Sequence, residues 1–160
     1  MTDRSLRLML FVHVFLFALV VGVFWGTWLS LSRSMSAITA STFLEVGHTM
    51  IGNLGGPMAV LMPATLVSAV PVLVALYRRH RRASFSLTLV GVGSLAVALV
   101  ITLSVNVPID DVIARWTVDT LPPDWSSIRN RWEAFHAART FISLAGFGYA
   151  LAAPYGHVTI

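Results

Sequence analysis

Long apolar stretches without a charged residue constrain this chain more than any other feature. Residues 8–31 contain no Asp, Glu, Lys or Arg, and neither do residues 49–77, 83–107 and 140–153. A helix crosses a bilayer core with roughly 20 apolar residues, and lipid forces the backbone to satisfy its own hydrogen bonds. Only 11% of all residues are charged, against roughly 25% in an average soluble domain. The sequence therefore predicts an integral membrane protein built from helices.

The predicted fold class is all-α, a four-helix transmembrane bundle in one domain, residues 1–160. We place the spans at about residues 8–31, 52–77, 84–107 and 136–153. Short connections make consecutive helices antiparallel neighbours, which gives an up-down-up-down topology. The connections between spans 1 and 2 and between spans 3 and 4 are longer and polar. We expect them to form an extracytoplasmic cap.

Small residues indicate where helices pack closely, and prolines indicate where a helix is irregular. Pairs of small residues at helical spacing favour close helix contacts. They are Gly22 with Gly26, Gly91 with Ser94, and Gly148 with Ala152. The second span contains Pro57, Pro63 and Pro71. Because proline removes a backbone donor and clashes with the preceding turn, we expect this span to be irregular.

The arginines indicate an orientation. The short loop RRHRR, residues 78–82, joins spans 2 and 3, and a basic loop of this kind is typically cytoplasmic. Both termini are then cytoplasmic, in a multi-pass protein of the cell (inner) membrane. Six of the seven acidic residues lie on the opposite side. The basic pI of 10.7 therefore reflects topology, and no nucleic-acid partner is expected.

Polar residues that could carry chemistry are concentrated in the two longer connections. Asn106 and Asp110 flank Pro108, which we expect to end or kink the third span. Trp132, His136 and Arg139 form one stripe on the helix that leads into the fourth span. Ionisable groups at such a depth usually face the bundle interior and have a partner. An ordinary ion pair from Arg139 to Asp110 or Asp111 is the competing interpretation.

A metal site is an alternative to a cofactor-free site. Glu45 and His48 share a helix face at the spacing that di-iron bundles use, but those sites need two such pairs. Together with His136 and Asp110 they could hold one transition metal such as iron, zinc or copper. The chain has no cysteine, so thiolate ligands are excluded.

Two motifs resemble a known family. SVNVPI at 104–109 and RWEAFHAART at 131–140 are similar to the signature of the anthrone oxygenase-like integral membrane proteins. GVFWG at 22–26 and FLEVGH at 43–48 fit the same layout. Family members often carry asparagine where this chain has Asp110. That exchange turns a two-way hydrogen-bonding group into an acceptor or a base.

The resemblance implies a membrane-embedded oxygenase, a monooxygenase-type oxidoreductase acting with dioxygen on a lipophilic aromatic substrate. Characterised relatives are taken to oxidise an anthrone to an anthraquinone with no recognised cofactor. A base that removes the acidic CH2 proton would leave an electron-rich enolate that can reduce dioxygen. His136 would be that base, Asp110 would orient it, and Arg139 or Asn106 would stabilise the enolate oxygen. The residues expected to bind the flat substrate are Trp132, Trp116, Glu45 and His48.

Two other classes of function fit the composition. A non-enzymatic small subunit of a larger membrane complex would show an exposed patch on the cap and no cavity between helices. A small transporter or channel would need a continuous wet path through a homo-oligomer. The enzyme hypothesis predicts instead that His136, Arg139, Asn106 and Asp110 converge on one enclosed pocket. Its expected partners are the lipid bilayer and a lipophilic aromatic small molecule, and a homo-oligomer is left open.

Overall fold

Five α-helices make up most of the protein in a computed structural model, which describes residues 2–155 apart from the Arg33 side chain. Two 3-10 segments, Ser32–Ala37 and Ala153–Tyr155, follow the first and last helices, and no strand occurs within residues 2–155. The helices are α1 (Asp3–Ser30), α2 (Ala40–Arg78), α3 (Arg82–Ile101), α4 (Val107–Ile113) and α5 (Trp125–Ala152). A π-helical turn, Thr102–Asn106, joins α3 to α4.

The helices form a closed four-membered bundle. α1 packs against α2, α2 against α3, and α3 against α5, which returns to contact α1. The predicted all-α four-helix bundle is thus confirmed. Three helical stretches are long and apolar enough to cross a membrane: Asp3–Ala37, Ala40–Arg78 and Arg82–Ile113. α5 is less apolar because His136 and Arg139 lie near its middle.

Both ends of α2 follow local sequence rules. Thr39 is the N-cap, and its Oγ1 accepts a hydrogen bond from the Thr42 amide at 3.4 Å. At the other end His80 adopts φ 54°, while the Arg81 amide bonds to the Leu76 carbonyl at 3.1 Å. This left-handed cap turns the chain within a few residues. The basic loop is therefore short, and α3 begins directly after it.

Apolar clusters occupy the middle and both ends of the bundle. The cluster near the basic loop contains Leu6, Leu10, Val72, Ala75 and Leu76. The middle cluster contains Phe17, Val20, Val21, Phe24, Met62, Leu95, Ala98 and Ala150. The cluster at the opposite end, called the cap end below, contains Met35, Phe43, Leu44, Ile113 and Trp116. Met35 and Trp116 come from the two longer connections, which therefore meet at this end.

Glycine allows α3 and α5 to approach closely. A Cβ added at Gly146 would lie 2.5 Å from the Ser94 Cβ, and one at Gly91 would lie 2.8 Å from the Gly146 carbonyl oxygen. The expected contact at Gly91 and Ser94 is therefore present, but its partner on α5 is Gly146 and not Gly148. A Cβ at Gly148 meets nothing within 4 Å, and the same is true of the first-span glycines Gly22 and Gly26. Those three glycines face away from the bundle and do not mediate the predicted contacts.

A π-helical turn interrupts the third helix, while the second stays helical across its prolines. α2 continues through Pro57, Pro63 and Pro71, all of which are exposed. The third helix also does not end at Pro108, and helical structure continues through α4 to Ile113. The π-helical turn immediately before Pro108 is wider than an α-helical turn, so it accommodates a residue that lacks an amide hydrogen.

Candidate functional site

A cavity of about 450 Å³ lies between the helices in the half of the bundle toward the cap end. This volume lies within the range of about 300–1,000 Å³ that is usual for small-molecule sites. Apolar side chains form most of its wall, including Met50, Leu54, Met58, Met62, Leu99 and Leu103. Its polar lining consists of Thr27, Thr102, Asp110, Asp111, His136 and Arg139. The cavity is thus a mainly apolar space with a few polar groups on its wall.

Arg139 is only 8% exposed, yet its guanidinium contacts neutral groups. Nη1 donates to Thr102 Oγ1 at 2.9 Å, and Nε and Nη2 donate to His136 Nδ1 at 3.3 and 3.1 Å. The guanidinium carbon lies 4.6 Å from the centre of the Phe24 ring. These contacts hold a cation in a mainly apolar part of the protein.

The ion pair from Arg139 to Asp110 or Asp111 does not form. Within residues 2–155, the ion pair with an N–O distance below 4.0 Å joins Arg79 to Asp3, at the other end of the bundle. The reason is position along the helix. Thr102, which Arg139 contacts, precedes Asp110 by eight residues, or about 12 Å of helix rise.

The hydrogen bonds fix which nitrogen of His136 carries a proton. A guanidinium can only donate, so Nδ1 accepts and is unprotonated. A neutral ring then carries its hydrogen on Nε2, which is buried and has no hydrogen-bond partner within normal geometry. The Phe24 backbone lies near the ring as an acceptor, but outside normal hydrogen-bond geometry. His136 is thus arranged as a donor, and Arg139 orients it in place of the predicted Asp110.

Trp132 connects the histidine to the carboxylate. Its indole ring stacks on the His136 ring at 4.9 Å between centres and 15° between planes. Its Nε1 donates to Asp110 Oδ1 at 2.7 Å. Within residues 2–155 the second oxygen, Oδ2, has no hydrogen-bond partner. Asp110 therefore brings to the cavity wall a carboxylate oxygen with no partner among the described residues.

Asn106 lies beside the cavity and does not line it. The side chain is 0% exposed, and its Nδ2 donates to the Trp132 backbone carbonyl at 3.1 Å. Its Oδ1 is buried without a partner. This contact joins the π-helical turn to α5, so Asn106 positions Trp132 and does not face the cavity.

The other predicted site residues are elsewhere. Trp116 is 9% exposed and packs in the apolar cluster at the cap end. Glu45 and His48 are exposed on α2, and His48 Nε2 is 3.0 Å from the Ile113 carbonyl oxygen. The α2 residues that reach the cavity begin at Met50.

The four residues of the metal alternative are not brought together. In the described part of the chain, no three His, Asp or Glu side chains are close enough to hold a metal ion. Glu45 and His48 are separated from Asp110 and His136 because α2 presents their face to the cap connections.

Sequence reasoning missed Thr102 and Phe24. Both line the cavity and contact the Arg139 guanidinium. Thr102 precedes Asn106 by four residues, and Asn106 precedes Asp110 by the same spacing. The helical pattern that links Asn106 and Asp110 could therefore have revealed Thr102. Phe24 lies in the GVFWG run at 22–26, and nothing in the sequence separates it from the other apolar residues there.

A smaller pocket of about 270 Å³ lies on the surface near the cap end. Trp28, Ser32, Asn130 and Glu133 are among its lining residues. The Glu133 Oε1 atom is buried without a hydrogen-bond partner. Burial raises the pKa of Glu133 above its usual value, and the nearby Arg129 guanidinium opposes that rise.

The fold and the cavity together define a helical bundle of membrane type with an internal cavity. The chain matches the family model described as anthrone oxygenase over residues 56–149, which is more than half of its 160 residues. It therefore belongs to the anthrone oxygenase family. The match includes Asp110, Trp132, His136 and Arg139. No match was found among curated proteins or solved structures.

Proposed function

We propose that this protein is a membrane oxygenase that oxidises a lipophilic anthrone- or hydroquinone-like compound with dioxygen inside the cavity. One observation carries the proposal. Arg139, a buried cation with no carboxylate within 4.0 Å among residues 2–155, shares an apolar cavity with the carboxylate of Asp110. A ligand with an acidic hydrogen at one end and an oxygen that can become negative at the other would complement both groups.

Proton removal comes first in the proposed reaction. Asp110 Oδ2 takes one proton from the CH2 group of the anthrone, and the electron pair moves onto the carbonyl oxygen to give an enolate. Arg139 has five N–H groups, of which three are engaged with His136 and Thr102. The other two remain for the enolate oxygen.

Dioxygen is the oxidant, and no other redox partner is needed. One electron passes from the enolate to dioxygen, and the two radicals combine to form a C–O bond. Protonation gives a hydroperoxide at the former CH2 carbon. Loss of water then converts that carbon to a carbonyl, so one oxygen atom is kept in the quinone and the other leaves as water.

The remaining wall suits a flat aromatic substrate. Phe24 and Trp132 offer aromatic surface, and Met50, Met58 and Met62 adapt to irregular shapes. An apolar wall also keeps water from the enolate, which strengthens its interaction with Arg139. A non-enzymatic subunit was expected to have no cavity between its helices, so the cavity supports the enzyme hypothesis.

Oxygen consumption by the purified protein in lipid nanodiscs tests the proposal. The substrates are a panel of anthrones and hydroquinones, and quinone formation is followed by mass spectrometry. We expect Asp110→Asn to lower the rate at least about 100-fold, the usual size of a general-base effect. Asp119→Asn, which changes an exposed aspartate, should keep the wild-type rate. Equal rates in the two variants, or a wild-type rate no higher than that of empty nanodiscs, would contradict the proposal.

A further inference from the structure

The cavity wall between α2 and the α3–α4 helix is made of residues that are also exposed on the bundle surface. On α2 these are Gly55, Ala59 and Pro63. Across from them are Leu103, which is 60% exposed, and Val107, which is 37% exposed. A residue that lines a cavity and is also exposed lies at its rim. The cavity therefore opens sideways, between these two helices.

Gly55 has open space where a side chain would be. A Cβ added there meets no other atom within 4 Å, and the neighbouring Gly52 and Gly56 are equally unobstructed. This contrasts with Gly91 and Gly146, whose missing side chains allow α3 and α5 to touch. Glycine in a helix interior is about 1 kcal/mol less favourable than alanine. At Gly55 no close helix contact offsets this loss.

The depth of the rim follows from helix length. About 20 residues cross the apolar core of a bilayer. Counted from the basic loop at residues 78–82, this length ends near residue 58 on α2 and near Leu103 on the third helix. The opening is thus at the edge of the apolar core toward the cap end. Asp111, which is exposed and lines the cavity, lies on the more polar side of it.

We propose that the gap between Gly55 and Ala59 on α2 and Leu103 and Val107 on the third helix is a lateral entrance from the bilayer. Its occupant is a flat, lipophilic aromatic compound that carries a polar oxygen at one edge. Such a compound concentrates where apolar lipid meets the headgroups, which is the depth of the rim. This inference rests on the proposed function, since the same compound reacts in the cavity.

An entrance differs from a binding site in its kinetics. Narrowing an entrance raises the barrier for association and dissociation by the same amount, so both rates fall and Kd stays constant. A change in the site itself alters Kd. Association and dissociation of 9,10-anthraquinone, followed by stopped-flow quenching of tryptophan fluorescence in nanodiscs, separate the two cases.

We expect Gly55→Leu to slow both rates by about tenfold, which corresponds to a modest rise in the barrier. Leu103→Ala, which widens the gap, should raise both rates, and Gly55→Leu should change Kd by no more than about twofold. Gly148→Leu and Gly93→Leu are matched controls, because both glycines are exposed and open but do not line the cavity. These controls should bind at the wild-type rates.

The outcomes distinguish the entrance from the proposed function. Normal association and dissociation rates in both Gly55→Leu and Leu103→Ala would overturn the entrance and leave the function standing, provided the wild type binds anthraquinone. A changed Kd with unchanged association would also overturn it. A wild type that does not bind anthraquinone would remove the proposed function, and the entrance with it.

Discussion

Arg139 donates two hydrogen bonds to Nδ1 of His136, at 3.3 and 3.1 Å, and so fixes the histidine as a donor at Nε2. The two residues are one helical turn apart on α5, so the contact needs no other element to form. It changes the assignment that the sequence suggested. A histidine whose remaining nitrogen carries the hydrogen is not arranged as a base, and we therefore propose Asp110 for that role.

Replacing Arg139 should separate function from stability. Arg139→Met keeps a long flexible side chain but removes a cation from a mainly apolar site. We expect activity to fall by about 10²- to 10³-fold, as when one oxyanion donor is lost. The free energy of unfolding should rise by about 1 to 3 kcal/mol, because a poorly solvated charge is removed. Activity assays and thermal unfolding in detergent measure the two effects.

Arg131→Met is the control, since Arg131 is exposed on the same helix and does not line the cavity. It should change neither quantity. A lower unfolding temperature in Arg139→Met would show that the arginine is retained for packing and would count against the proposed role.

Trp132→Phe tests how Asp110 is positioned. Phenylalanine can still stack on His136 but has no N–H for Asp110 Oδ1. We expect kcat to fall about tenfold, near the value of one hydrogen bond to a charged group, while KM changes less than threefold. Trp125→Phe, at a tryptophan that packs on Phe43 in the cap, should leave both constants unchanged. A loss confined to KM would mean that Trp132 only binds substrate.

Gly146→Ala should weaken the contact between α3 and α5. The added Cβ would lie 2.5 Å from the Ser94 Cβ, so the helices must separate. We expect a loss of about 1 to 3 kcal/mol in the free energy of unfolding. Gly148→Ala, two residues away and unobstructed, should be neutral or slightly stabilising. Equal unfolding temperatures for the two variants would show that the close contact does not exist.

Glu133 should make stability depend on pH. Because burial raises its folded-state pKa, ionisation is less favourable in the folded protein. The resulting penalty is absent below the unfolded-state pKa, develops as pH rises to the folded-state pKa, and is complete above it. Glu133→Gln should therefore raise the unfolding temperature slightly at neutral pH and leave it unchanged at a pH below the ordinary glutamate range. Glu45→Gln controls for the change in net charge. If Glu133→Gln changed the unfolding temperature equally at both pH values, this explanation would be refuted.

The helices were predictable from sequence, but several of their ends were not. The apolar stretches placed all four bundle helices, because lipid demands continuous apolar helix. α5, however, begins at Trp125, well before the predicted span at residue 136, and α2 begins at Ala40. Hydropathy carries little signal for these more polar extensions, and the helical spacing of Glu45 with His48 and of Trp132 with His136 is what indicated helix there. The bilayer limits at residues 8–31, 52–77, 84–107 and 136–153 stay predictions.

The site was predictable only in part. Helical spacing correctly grouped Trp132, His136 and Arg139 on one face, and all three line the cavity. Spacing along one helix could not show which side chains pair across helices. The π-helical turn changes which side of its helix Asp110 occupies relative to α5, and spacing alone does not reveal that change. Trp116 and His48 do not line the cavity, because Trp116 packs in the apolar cluster at the cap end and His48 hydrogen-bonds to the Ile113 carbonyl.

Hydrogen–deuterium exchange at the substrate CH2 group, measured without oxygen, tests the central claim most directly. The claim is that Asp110 removes this proton before dioxygen reacts. In deuterated buffer under nitrogen, the wild type should catalyse deuterium incorporation into an anthrone, as detected by mass spectrometry. Asp110→Asn should lose at least about 100-fold of that rate, and Asp119→Asn should retain it. Exchange that is equally fast in Asp110→Asn, or that is no faster with the wild type than with empty nanodiscs, would contradict the account.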